Sequence, residues 1–211
     1  LEFDEKESVR FYYPSVLKGS LLERSVSNEK AYLLDHVLIE FGVRNSVDPN
    51  EQHVISSLLS GLEFKKPLAL PQAKVDVLSV LRTFWEKLTL IHVECHRKRL
   101  RNYADRLSRH WYDLAMLIKA GVHEGALAEQ DLLKGVVEHK SLFFNSSYAH
   151  YEDCLRGHAR LVPDEEDLSS LERDSLEMGE SGMFSKRPLE FENIVGLLRT
   201  FEARLNLLMR E

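Results

Sequence analysis

One change of period constrains this chain more than any other feature. In the first third, apolar residues alternate with polar ones. From Val77 onward they recur at helical spacing. In "VLSVLRTFWEKLTLIHVECHR", Leu81, Phe84, Leu88, Ile91 and Cys95 fall at alternating three- and four-residue steps. That stripe lines one side of an α-helix and has to be buried against other elements.

The alternating part reads as strands. "VRFYYPS" is β-branched and aromatic, and Pro14 ends it. "YLLDHVLIEFGVR" is the strongest strand: Val37, Ile39 and Phe41 share one face, and His36, Leu38, Glu40 and Gly42 share the other. "RNSVDPNE" is a turn cluster around Asp48-Pro49, "HVISSLL" is a short third strand or a helical turn, and "KKPLALPQ" is a connector. After the first helix, Ser108 is a candidate N-cap for "RHWYDLAMLIKAG", and Gly121 is its stop. "EGALAEQDLLKGVVEHKSLFF" reads as one helix. Asp164 caps another, to about Met178, with Leu168, Leu171 and Ser175 on one stripe. Pro188 opens the last, whose Phe191, Ile194, Leu198, Phe201, Leu205 and Leu208 face a core. "NSSYAHYEDCLRGHARLVP" stays ambiguous. The expected class is α+β, with strand-rich residues 1–76 followed by a helical bundle over residues 77–211.

Composition sets limits. With 44% hydrophobic and 29% charged residues, 211 residues can bury a real core. No run approaches the roughly 20 apolar residues that span a bilayer. "LEFDEKESVR" is acidic and unlike a signal peptide, and a strand only ten residues in suggests a chain that begins inside a longer protein. Two cysteines, Cys95 and Cys154, make no disulfide framework, so a reducing cytoplasm is the expected compartment. The net charge of −6 argues against a polyanion binder as a whole. Charge is uneven, however. Arg97–Arg109 holds six Lys/Arg against Asp105, whereas Asp164–Glu180 holds eight Asp/Glu against Arg173. The first could meet phosphates; the second reads as a solvated helix face.

Several constellations bear on chemistry. His92 and His96 are spaced i, i+4, as two metal ligands on a helix would be, but Glu94 projects away from them and no third ligand is near in sequence. They read as partly exposed histidines on the outer face. Lys87 lies beside the apolar stripe, in line with Ile91, Glu94 and Lys98. An ammonium there is either a snorkelling or Glu94-paired lysine, or a charge aimed at a phosphate across a cleft. Asp113, read as lying in the first turn of its helix, suits the helix dipole or pairs with Lys87 from the neighbouring helix. Glu40 is inert on an edge strand, and a metal or general-base candidate on a central one. The Arg97–Arg109 stretch has thin aromatic support from Tyr103 and Trp111. Nucleophile elbows, phosphate-binding glycine loops and dinucleotide fingerprints do not occur in the sequence.

Three stretches together resemble one family. They are "AYLLDHVLIEFGVRN" with "DPNEQHVISSLL", then "VLSVLRTFWEKLTLIHVECHR" with "RLSRHWYDLAMLI", and the C-terminal "HKSLFFNSSYAHYEDCLRGHARLVPDEEDLSSLERDSLEM" with "FENIVGLLRTFEARLN". The resemblance is to the nucleotidyltransferase AbiEii/AbiGii toxin family, the toxin half of type IV toxin–antitoxin and phage-defence pairs. It implies a nucleotidyltransferase-like mixed sheet, NTP as substrate, a magnesium ion on carboxylates, an acceptor such as tRNA, and an antitoxin from a neighbouring gene. Carried over by residue, Lys87 matches the motif lysine and Asp113 the acid of the next motif. Glu40 sits on the strand where such enzymes place a third carboxylate, which also makes it a possible metal ligand. Arg44, Arg82, Arg109 and His110 match motif positions as phosphate-binding candidates. The family's Gly-Gly-Ser/Thr turn and Asp-x-Asp pair, which carry the metal, do not occur in these 211 residues. The chain therefore reads as the C-terminal part of such a toxin, inactive alone. The alternative is a non-catalytic helical module that binds an antitoxin or RNA.

Overall fold

The computed structural model describes residues 2–4, 8–12, 32, 36–42, 44, 46–61, 69–97, 99–100 and 105–210. The expected α+β class is borne out. Strands β1 (Glu2–Asp4), β2 (Ser8–Tyr12) and β3 (His36–Glu40) form an antiparallel sheet in that order, with Ser8 opposite Glu40 and Tyr12 opposite His36. Strands β4 (Asn50–Ser56) and β5 (Gln72–Leu78) form an antiparallel pair, with Asn50 opposite Leu78. The alternation in β3 does not bury one face: Val37, Leu38, Ile39 and Phe41 are all exposed. Pro14 and Tyr103 lie outside the described residues.

The helical period begins later than Val77. Ala73, Val75 and Val77 belong to β5, a strand the sequence reading merged with the connector and the helix that follow. Ser79 makes the boundary: its Oγ accepts the Arg82 N–H at 3.1 Å, and its own N–H donates to the Pro49 carbonyl at 2.9 Å. "HVISSLL" turns out to hold both alternatives, strand to Ser56 and then a 3-10 turn at Leu58–Gly61.

Helix α1 (Val80–Cys95) is the hub of the helical part. Around it pack α2 (Ser108–Lys119), α3 (Val122–Ala128), α4 (Gln130–Phe143) and a 3-10 turn at Tyr151–Leu155. Helices α5 (Glu165–Glu180) and α6 (Phe191–Leu208) pack on α2. Phe84, Trp85, Leu88 and Ile91 of α1 are fully buried, so its apolar side is wider than the stripe alone suggests. The single helix expected after Gly121 is two, broken at Glu129, whose backbone leaves the helical region. The break lets both halves contact α1: Gly125 brings α3 close to Leu81, while Leu133, Val136 and Val137 bury the inner side of α4. Gly121 does stop α2, at φ 79°. Glu190, rather than Pro188, stands at the start of α6, whose Ile194, Leu198, Phe201 and Leu205 are buried as the pattern predicts.

His92 corrects the sequence reading outright. It is not on the outer face but fully buried. Its Nε2–H donates to the His150 carbonyl at 3.0 Å, and its Nδ1 accepts the Arg160 N–H at 3.0 Å. Both ring nitrogens are thus spent on backbone, so a ligand role is closed to it. The same 157–162 segment is held from α6: Glu202 accepts the Leu161 N–H, and the Asn206 amide exchanges hydrogen bonds with both backbone groups of Ala159, at 2.7 and 2.9 Å. Gly157, at φ 72°, is required here, since a Cβ would lie 2.5 Å from the Asn206 carbonyl oxygen.

Both cysteines are buried free thiols. Among the described residues, no helix is long and apolar enough to cross a membrane.

Burial, reinforced by the neighbouring His96, lowers the His92 pKa to about 4. In the unfolded chain it titrates near 6.5. Between these values the unfolded state binds the extra proton. His92 therefore contributes its stability fully above about pH 6.5 and loses it as pH falls toward 4. The stability advantage of wild type over His92→Gln, from urea unfolding, should shrink by ~3 kcal/mol between pH 7 and pH 4. A constant gap would contradict a buried neutral His92.

Candidate functional site

Helix α1 carries Lys87 at the edge of its buried side, facing α2. Its Nζ donates to Asp113 Oδ2 at 2.8 Å and lies 3.1 Å from His110 Nδ1. Lys87 and Asp113 remain 26% and 46% exposed as side chains, so the pair is reachable from solvent. Lys87 and Asp113 are paired across neighbouring helices, a contact the sequence reading raised for Asp113. The Glu94 alternative is excluded, because Glu94 is buried and bonds Arg97 Nε at 3.0 Å. Asp113 stands in the second turn of α2 rather than the first, where no acidic residue occurs. Its position is therefore explained by Lys87 and not by the helix dipole.

What fixes α2 came from an unexpected quarter. No side chain of its own sequence caps it, although Ser108 was the candidate. Asp174, from α5, does so instead. Its carboxylate is 6% exposed and accepts the Arg106 and Ser108 N–H groups, each at 2.7 Å. Arg106 adopts φ 55°, and the N–H groups of residues 106 and 108 converge on one anion. The acidic stretch is thus not wholly a solvated face: Asp174 is buried within it.

The other candidates are placed as follows. Arg82 is buried; it donates to the Asp48 carbonyl at 2.8 Å and to Glu86 at 3.2 Å, and Glu86 also pairs with Lys140 at 2.5 Å. This guanidinium ties the Asp48-Pro49 turn to α1. Arg109 is exposed at the start of α2, one residue before His110. Glu40 is exposed at the end of β3. Arg44 is exposed too, and it lines a cavity of about 530 Å³ with Glu94, Arg97, Lys140, Phe144, Tyr148 and others. The structure brings Lys87, Asp113 and His110 together.

A magnesium ion needs convergent carboxylate oxygens. Among the described residues, no group of three or more His, Cys, Asp or Glu side chains could hold a metal ion. Asp113 already faces an ammonium, and among the described residues Glu40 belongs to no such group. These residues do not fit the ion, and no step proposed here runs through it.

The model of the AbiEii nucleotidyl transferase toxin family, type IV toxin–antitoxin system, matches residues 2–202. No curated protein and no solved structure matches the chain.

Two substitutions separate scaffold from site. Asp174→Ala leaves two backbone donors without their acceptor and should cost ~2–4 kcal/mol in urea unfolding. Lys87→Ala opens a partly solvated ion pair and should cost no more than ~1 kcal/mol. Equal losses would mean that Lys87 is also a structural residue.

Proposed function

The chain belongs to the AbiEii family of nucleotidyltransferase toxins, and from that premise we propose that Lys87 and Asp113 are its helical contribution to a nucleotidyl-transfer site. The observation that carries the reading is the 2.8 Å Lys87–Asp113 contact, held open to solvent between α1 and α2. The family supplies the class of reaction, an NTP substrate and an antitoxin partner.

In nucleotidyl transfer an acceptor hydroxyl attacks the α-phosphorus of an NTP. The bond to the bridging oxygen breaks, pyrophosphate leaves with the electron pair, and the hydroxyl proton passes to a base. An ammonium has three N–H donors. Two of those on Lys87 are directed at Asp113 and His110, which leaves one for a phosphate oxygen. A cation fixed in that way offsets charge where it develops, with little reorganisation. Asp113 positions the ammonium, and Arg109 and His110 flank it on α2 as phosphate-binding side chains. Arg82 acts indirectly in this reading, by holding the start of α1 to the turn before β4. The acceptor is RNA, with tRNA the first to test.

The test is transfer of label from an α-labelled NTP to bulk tRNA, using the full-length protein. Lys87→Ala and Asp113→Ala should each lower the rate ~10²-fold or more while the fold is retained. Wild-type rates in both variants would remove the assignment. Residues 1–211 alone, which contain no Asp-x-Asp pair, should show no magnesium-dependent transfer, and detectable transfer would refute that expectation. A binding module would give no transfer from either preparation.

A further inference from the structure

A second site lies along α1 from Lys87. The cavity of about 530 Å³ is bounded by Leu90, Val93, Glu94 and Arg97 of α1 and its C-terminal end, by Lys140 and Phe143 of α4, by the 144–148 loop, and by Arg44. We propose that it binds a nucleoside phosphate, with the base on the Phe144–Tyr148 side and the phosphate on Arg44 and Arg97.

Charge and shape point to that ligand class. Three cations line the cavity: Arg97 is paired with Glu94 and Lys140 with Glu86, and Arg44 is the charge in excess. Arg97 is fixed through its Nε to Glu94, and among the described residues its two terminal nitrogens carry no hydrogen bond. Arg44 carries no ion pair among the described residues. A guanidinium held at one nitrogen and open at two suits the oxygens of a phosphate. A bare anion site would not need aromatic walls. Here the Arg97 guanidinium lies 4.5 Å from the Tyr148 ring centre, and the Lys140 ammonium 4.6 Å from that of Phe144. Phe143 and Phe144 are 45% and 38% exposed, an apolar surface at the mouth of a charged cavity. Flat bases stack on such rings and on guanidinium planes whatever their identity. Asn145 and Ser146 in the same wall offer donors and acceptors for a base edge. The volume falls in the range of about 300–1,000 Å³ common for small-ligand sites, which suits one nucleotide and excludes a duplex. The inference stands independently of transfer at Lys87.

Free nucleotides and the end of a single strand share this chemistry, and binding assays tell them apart. The probe is a fluorescein-labelled six-nucleotide RNA, read by anisotropy at low salt with EDTA, so neither a metal ion nor transfer enters the result. Arg44→Glu and Phe144→Ala change exposed side chains, and each should weaken binding about tenfold or more. Arg199→Glu, in the separate groove between α2 and α6, should bind within about twofold of wild type. Competition by unlabelled GTP or ATP at comparable concentration assigns the cavity to a free nucleotide; competition only by unlabelled RNA assigns it to a strand. The proposal is overturned if the wild type shows no saturable binding. It is also overturned if both variants, with wild-type circular dichroism, bind as the wild type does, or if inorganic phosphate competes as well as a nucleotide.

Discussion

The structure depends on burying a helix that is not wholly apolar. Helix α1 meets α2, α3, α4 and the Tyr151–Leu155 turn, so several of its polar side chains are carried out of water along with Phe84, Trp85, Leu88 and Ile91. Burial of an unpartnered polar group is costly, and most of these side chains are paired, several of them with groups from other elements. Arg82 takes the Asp48 carbonyl and Glu86, Glu86 takes Lys140, Lys87 takes Asp113, Thr89 takes the Trp85 carbonyl, His92 takes two backbone groups and Glu94 takes Arg97. The partners come from the turn before β4, from α2, from α4 and from the loop before α5. Polar satisfaction of one helix thereby fixes the placement of most of its neighbours.

A common logic links this network to the two candidate sites. Carboxylates that could have been ligands instead act as anchors: Asp174 for the start of α2, Glu86 for Lys140, Glu94 for Arg97. The cations they hold are oriented rather than neutralised out of use, since a guanidinium or ammonium has more donors than one carboxylate oxygen engages. Lys87 differs from Arg82 in this respect. Arg82 is sealed in, while Lys87 stays partly open beside an exposed carboxylate.

How much of this was legible in the sequence follows from what each signal encodes. Periodicity reports burial of faces, and it located α1 and α6 with inner residues that are buried. It failed at β5, where three alternating residues between a proline-rich connector and a strong helical stripe were too short to stand out. It also ran α3 and α4 together, because the break at Glu129 is imposed by packing both halves on α1 and not by a glycine or proline. Lys87 and Asp113 were legible because a lone charge beside a core stripe calls for a partner. Asp174 was not: seven acids in one helix look alike until one of them meets the backbone of a distant loop. His92 was misjudged for the same reason, since its partners are the backbone at His150 and Arg160, which no side-chain pattern can announce.

The clasp around residues 157–162 has a consequence in time. Its hydrogen bonds join residues 68, 47 and 41 positions apart, from His92 to Arg160 and from the loop to Asn206 and Glu202. During synthesis from the N-terminus, α1 emerges with its core stripe exposed and its histidine unsatisfied. Local contacts to α2, α3 and α4 can form early, but the loop is not gripped from both sides until α6 has left the ribosome. A truncated or stalled product would hold Lys87 and Asp113 in sequence while α2 still lacked part of its support from α6. The support that α6 gives α2 is thus acquired only after α1 to α4 have met.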